Sequence, residues 1–180
     1  LGVLQALRVA DVADVPDDAI REGLASTHWP GRLELRRVDG VDVLIDGAHN
    51  PDGMGVLAAT VEELAPSLPA GPPTLLLGAM ADKDLDGMLA ILARSPVLGR
   101  SRLVACAVPE TDRSLPPTEL ARAWGRASGH SAIAIEQEPA AALHIALAEA
   151  SSRGGLLVVA GSLYLVGQVR ALLLPGEVVA

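Results

Sequence analysis

The sequence predicts an α/β fold: a three-layer, Rossmann-like, mostly parallel sheet with helices on both faces and an antiparallel hairpin at one edge. Three observations carry this. Apolar runs without polar alternation recur at Thr74 to Gly78, Arg102 to Val108 and Gly155 to Ala160, and strands apolar on both sides belong to sheets covered on both faces. Helix-period stretches separate them, with Leu85, Met88, Leu89 and Leu92 on one face and Leu120, Ala123 and Trp124 on another, the alternation that builds parallel crossovers. Asp39-Gly40 between two short β-prone runs, Leu33 to Val38 and Val41 to Ile45, reads as a tight hairpin turn.

Taken in order, residues 1–27 read as helical, with Leu4, Leu7, Val9, Val12 and Val15 loosely amphipathic and a second short helix from Asp17 to Leu24 whose acids suit its first turn. The first residue is Leu, inside a helix-like stretch, so the sequence reads as a piece of a longer protein. His28-Trp29-Pro30-Gly31-Arg32 reads as a linker whose Pro and Gly break the helix and whose Trp29 anchors the turn. After the hairpin the chain stops on Asp46. Asn50 is a good N-cap and Pro51 suits the first position of a helix to Leu64; the first amides of that helix are expected to face an anion. Pro66, Pro69, Pro72 and Pro73 bracket a loop. A short strand Ala132 to Ile135, an Ala-rich helix Pro139 to Ser151 and a last segment Tyr164 to Leu174 complete the pattern.

Composition narrows the function. Half of the 180 residues are hydrophobic, yet Phe is absent and Tyr164 is the one tyrosine, so the core is aliphatic. The net charge of -8 argues against nucleic-acid binding, which needs a basic face. No run is long and apolar enough for a membrane span. The single Cys106, in an apolar run, reads as a buried structural thiol and fits a reducing cytoplasm. Lys83 is the one lysine and sits in Ala-Met-Ala-Asp-Lys-Asp, so there is no phosphate-binding loop ending in Lys-Ser/Thr. No Cys/His cluster has metal-ligand spacing.

Four stretches put polar groups at predicted strand C-termini: Asp46 to Asn50, Ala79 to Asp84, Pro109 to Arg113 and Gly161-Ser162. In a parallel sheet these ends share an edge, so the four loops are expected to line one cleft. Asp46 either holds a ribose hydroxyl or cation or caps its own turn. His49 is either an anion or hydrogen-bond partner or an ordinary satisfied histidine. Lys83 and Asp84 are either functional or a solvated charge run. Arg32 is either a fixed fork for phosphate or base or an ordinary surface arginine. Ser162 follows a glycine where a ligand can approach the backbone, and lacks the frame of a serine hydrolase.

Trp29-Pro-Gly-Arg32-Leu-Glu34, Asp46-Gly-Ala-His-Asn-Pro51, Leu77-Gly-Ala-Met-Ala-Asp-Lys-Asp84 and Gly161-Ser-Leu-Tyr-Leu-Val-Gly167 together resemble the C-terminal domain of folylpolyglutamate synthase and dihydrofolate synthase, in the Mur ligase superfamily. The resemblance runs over essentially the whole chain. It implies an ATP-dependent amide ligase that adds L-glutamate to folate or dihydropteroate through an acyl phosphate, cytoplasmic and monomeric. ATP and Mg²⁺ would be the cofactors, with the phosphate loop and the Mg²⁺ ligands on an N-terminal ATPase domain and a central domain of the same protein. Residues 1–28 would be the end of that central domain and a linker, and 29–180 the C-terminal domain, inactive alone. By motif position Arg32, Asp46 and Asn50 would bind ATP, Arg32 at the phosphates or base and Asp46 at the ribose; Lys83 and Asp84, at the rim, would join the nucleotide-binding set; His49 and Ser162 would be the catalytic residues, near the incoming glutamate. Gln168 stands where the family commonly has an acid. The competing expectations are another Mur-type ligase, for a peptidoglycan precursor or cyanophycin, and a nucleotide-binding module without catalysis.

Overall fold

The computed structural model describes residues 15–26 and 29–176. The chain divides into two compact units, Leu1–Pro30 and Gly31–Ala180. In the first, helix α1 (Asp17–Ser26) opens on Asp17 and Asp18, as the positive end of a helix dipole favours. The helix expected across the first fourteen residues lies outside the described ones. Trp29, expected to anchor its turn, is 68% exposed.

The second unit contains, among the described residues, a six-stranded sheet in the order β1-β2-β6-β3-β4-β5. The strands are β1 (Glu34–Val38), β2 (Val41–Ile45), β3 (Gly71–Leu77), β4 (Arg102–Cys106), β5 (Ala134–Glu136) and β6 (Gly155–Ala160). Only β1 and β2 pair antiparallel, with Val38 opposite Val41; β2, β6, β3, β4 and β5 run parallel. Asp39 and Gly40 both have positive φ, 49° and 84°, the geometry of the mirror-image turn that suits a twisted hairpin. The helices are α2 (Pro51–Leu64), α3 (Leu85–Arg94), α4 (Pro117–Ser128), α5 (Pro139–Arg153) and α6 (Leu163–Leu173).

Two aliphatic layers sandwich the sheet. Met54 and Leu57 of α2, Met88 and Leu92 of α3 and Trp124 of α4 pack with Leu75 and Val158 on one face. Ala142 and Ala146 of α5 and Leu165 and Val169 of α6 pack with Leu76 and Val159 on the other. β6 is buried at every position, as a central parallel strand must be. Cys106 is fully buried on β4. Burial, and then the charges of Glu136 and Glu138, push its thiol up to about 12, so it stays protonated and inert.

Two expectations change. Pro72 and Pro73 lie inside β3, which begins at Gly71. The ladder slips its register between Gly71 and Thr74, so the two prolines sit in a strand start where missing donors are tolerated. The β-prone run expected from Leu33 to Val38 forms β1, with its leucines, Leu33 and Leu35, exposed. Leu35 is 49% exposed, whereas Glu34 is 4% exposed.

Glu34 is buried because it is paired. Its Oε2 accepts from Arg170 Nε of α6 at 2.9 Å and from the Gly31 amide at 2.8 Å, and its Oε1 accepts from Arg36 Nε at 2.9 Å. Burial by itself would raise this carboxyl, but the bonds from Arg170, Gly31 and Arg36 outweigh it and hold the group at about 2, below its ordinary 4.5. The network fastens the Gly31 turn, the edge hairpin and α6 to one another.

Removing either partner takes a charge-assisted bond from a buried charge, which costs about 1.5 to 3 kcal/mol. Glu34→Gln and Arg170→Met are each expected to lower the urea unfolding free energy by that order. Because the folded carboxyl titrates below the unfolded one, its contribution is complete above about pH 4.5 and is lost as pH falls towards about 2. The stability gap between the native chain and Glu34→Gln should therefore close over that window; a gap that is constant with pH would contradict this.

Candidate functional site

The carboxyl ends of β2, β6, β3 and β4 are neighbours in the sheet, and the chemistry gathers there. Gly161 N–H donates to Ala48 O at 2.8 Å, and Asp46 N–H to Val159 O at 3.0 Å, so the loops after β2 and β6 are stitched together. Gly161 has φ 102° and leaves no room for a Cβ against the Gly78 carbonyl. Only glycine allows the ends of β6 and β3 to meet this closely.

Asp46 is 7% exposed. Its Oδ2 accepts from Leu33 N–H at 2.8 Å and its Oδ1 from Ala48 N–H at 2.9 Å. The carboxylate thus builds its own turn and reaches across to Leu33. It holds Leu33 at φ 46°, a left-handed conformation that costs a branched side chain on the order of 1 kcal/mol. Gly47 N–H donates to Gly31 O at 2.8 Å, a second tie between the same loops.

The Arg32 guanidinium lies directly over Gly47. A Cβ there would collide with Arg32 Nη1 and with Leu163 Cδ2. Gly47 is therefore the seat of the guanidinium, a role its motif position alone did not reveal. Among the described residues Arg32 makes no ion pair, so its fork is available to a ligand. It rims a groove of about 430 Å³ with Leu33, Asp46, His49, Asn50 and Val56.

His49 Nδ1 lies 2.8 Å from Gly47 O. A carbonyl only accepts, so Nδ1 carries the hydrogen, and in the neutral ring Nε2 is left with a lone pair. Asn50 caps α2, its Oδ1 accepting from Gly53 N–H at 2.7 Å. The expected anion site on the first amides of α2 is weakened by the helix's own residues. Pro51 has no N–H, the Asn50 side chain takes the Gly53 amide, and Asp52 adds a negative charge to the same turn. The anion-facing group on this side is Arg32.

A second, smaller cleft of about 160 Å³ adjoins, lined by His49, Met80, Lys83, Arg113, Ser162 and Tyr164. All four strand-end loops contribute to it. Ser162 is 2% exposed and caps α6, its Oγ accepting from Tyr164 N–H at 3.3 Å. Asp84 caps α3 through Gly87 N–H at 2.9 Å and is exposed at the rim, so it sets the start of α3 beside Lys83. His49 belongs to both spaces; Arg32, Asp46 and Asn50 belong to the larger groove and Lys83 and Ser162 to the smaller. Reading the sequence missed Glu34, Arg113 and Gly47. Arg113 carried a signal, its place at a strand end; Glu34 closed a quoted motif, but its pairing was hidden because its partner Arg170 is 136 residues away. Among the described residues no group of three His, Cys, Asp or Glu side chains could hold a metal ion, and no helix is long and apolar enough to cross a membrane.

A doubly covered sheet with an edge hairpin and two clefts at the strand ends defines an α/β domain that binds its ligands at the carboxyl edge of the sheet. The model of the Mur ligase glutamate ligase domain matches residues 31–163, and the chain belongs to that family. It is 38% identical over 169 residues to a probable bifunctional folylpolyglutamate synthase/dihydropteroate synthase of Halobacterium salinarum, covering 94% of this chain and 19% of that protein. It is 33% identical over 166 residues to the folylpolyglutamate synthase of Lacticaseibacillus casei, covering 88% of this chain and 33% of that one. The structure of Mycobacterium tuberculosis folylpolyglutamate synthase complexed with ADP and AMPPCP superposes with a TM-score of 0.76 at 31% identity, covering 93% of this chain and 37% of that one. The chain spans well under half the length of these relatives.

Asp46→Asn tests the turn. One side of an amide would present N–H₂ to a backbone N–H, leaving a buried donor unsatisfied at about 1 to 3 kcal/mol. The expected result is a loss of that size in urea unfolding, with faster hydrogen exchange at Leu33 or Ala48; unchanged exchange at both would contradict it.

Proposed function

We propose that this chain is the C-terminal domain of a cytoplasmic ATP-dependent amide ligase that joins L-glutamate to a folate or dihydropteroate carboxylate. Residues 1–28 would close the preceding domain and link to this one, with 29–180 as the C-terminal domain. The observation that carries the reading is His49, shared between a groove on the scale of a nucleotide and a cleft on the scale of an amino acid. An acyl-phosphate ligase needs these two spaces to touch, because the activated carboxyl must meet the amine.

Arg32 fits the nucleotide: its unpaired fork can grip phosphate bidentately or stack on the base. Asp46 accepts one amide on each oxygen and keeps a lone pair on each, enough for a ribose hydroxyl. Asn50 fixes the α2 end beside it. ATP supplies the phosphoryl group that activates the folate carboxylate, and phosphate leaves when the glutamate nitrogen attacks. His49 Nε2 is suited to accept the proton that the incoming ammonium must lose. Ser162 and Lys83 line the space for the amino acid, with Asp84 at its rim. The Mg²⁺ that accompanies ATP would be held by the N-terminal ATPase and central domains of the full-length protein. The domain is one wall of the cleft and is inactive alone.

The test is glutamate-dependent ATP hydrolysis by the full-length protein, with folates and with UDP-sugar peptides as acceptors. Folate-dependent activity is expected; activity on the sugar peptides alone would overturn the reading in favour of a peptidoglycan ligase. Arg32→Ala should raise the KM for ATP by roughly tenfold or more, as loss of a charge-assisted hydrogen bond implies, with little change in Tm because the side chain is exposed. Wild-type kinetics in that variant would contradict the role.

A further inference from the structure

The guanidinium of the larger groove belongs to a short segment that helix α6 holds in place. Leu163, Val166 and Arg170 stand three and four residues apart on α6, the spacing that puts side chains on one face of a helix. Leu163 Cδ2 borders the same space over Gly47 that Arg32 Nη1 enters. Val166 Cγ1 lies so close to Gly31 that a Cβ there would come within 3.0 Å of it. Arg170 Nε donates to Glu34 Oε2 at 2.9 Å. One stripe of α6 thus meets Gly47, Gly31 and Glu34, the residues that surround Arg32.

The segment needs that support. Gly31 has φ 71° and Leu33 φ 46°, both in the left-handed region that side chains disfavour. Gly31 to Leu33 form a turn and bend ahead of β1 rather than part of the ladder. Side chains and loops hold them instead. Gly31 N–H donates to Glu34 Oε2 at 2.8 Å, Gly31 O accepts from Gly47 N–H at 2.8 Å, and Leu33 N–H donates to Asp46 Oδ2 at 2.8 Å. Gly31 is therefore pinned through both its N–H and its C=O, and the anchor for its N–H is the oxygen that Arg170 also holds. Arg36 bonds this carboxylate from within β1, whereas Arg170 ties it to a different layer. Arg170 is 5% exposed and lines neither cleft.

We infer that Arg170 is a positioning residue for nucleotide binding: through Glu34 and the Gly31 turn it fixes the point from which the Arg32 guanidinium reaches the groove. This rests on the ligase reading of that groove. A side chain that starts from a fixed backbone loses less freedom when it engages a ligand. Removing Arg170 loosens the turn, and the cost falls on the one contact that the turn carries.

The experiment is a double-mutant cycle in the full-length protein: native, Arg32→Ala, Arg170→Met and the two together, each assayed at a temperature where circular dichroism shows it folded. We expect Arg170→Met to raise the KM for ATP by roughly threefold to tenfold, part of the loss that removing a charge-assisted contact brings. The KM for glutamate and kcat should stay within about twofold, the split that lost uniform binding gives. In the Arg32→Ala background Arg170→Met should add no more than about twofold, because its effect passes through the side chain already removed. Arg170→Lys keeps the charge without the planar fork. It should show a smaller rise that also vanishes without Arg32, and it carries the cycle where Arg170→Met does not fold. An unchanged KM for ATP in the folded Arg170 variant, rises that multiply in the double variant, or an equal rise in the KM for glutamate would overturn the inference while leaving the ligase reading intact. Native ATP kinetics in Arg32→Ala would overturn both the inference and the nucleotide reading of the groove.

Discussion

The site depends on a buried carboxylate at the edge of the sheet. Glu34 lies on the outermost strand, yet it is among the most buried charged groups of the described residues, held by Arg170, Arg36 and the Gly31 amide. That contact fixes where the Gly31 turn sits. Gly31 in turn receives the Gly47 amide, and Gly47 leaves the space over which Arg32 extends. A chain of short polar contacts thus leads from the α6 surface to the guanidinium at the groove. Apolar packing alone would bury this edge without fixing its register. An ion pair with three defined donors does fix it, at a desolvation cost that the hydrogen bonds offset.

The site itself is made of groups with a structural bond already in hand. Asp46 builds a turn, Asn50 and Ser162 cap helices, Asp84 caps a third, and His49 Nδ1 is tied to a carbonyl. Each side chain is held in one orientation by its own backbone, so what it offers to a ligand is already aimed. Arg32, Lys83 and Arg113 are different. They carry charge into the two clefts with weak partners or none among the described residues, and they are the groups whose interactions a ligand can change most. Anchored caps and under-used cations are the combination expected of a half-site that another surface completes.

Much of this was legible in the sequence, for physical reasons. Doubly buried strands leave unbroken apolar runs, so β3, β4 and β6 stood out, and the Asp-Gly turn announced the hairpin. The Asn50-Pro51 cap followed from local chemistry. Long-range polar pairing was not legible. Leu33 and Leu35 look like the inward face of β1, but Glu34 takes that place because Arg170 arrives from the far end of the chain. The anion site on α2 is weakened for a related reason: the same Asn50 that marks the helix start takes the Gly53 amide an anion would need, and Asp52 adds a negative charge there. The double proline hid the start of β3 because a register slip, invisible in one strand alone, absorbs it. The convergence of four loops was read from strand order, whereas the seat of Arg32 over Gly47 needed coordinates.

The central claim is that these clefts are one wall of a shared site. Nucleotide binding measured by calorimetry, on this 180-residue chain and on the full-length protein under the same conditions, tests it most directly. The account predicts binding to the chain alone that is far weaker than to the full-length protein, with the groove around Arg32 contributing in both. Equal, saturable affinity in the two would mean a self-contained nucleotide site and would contradict it.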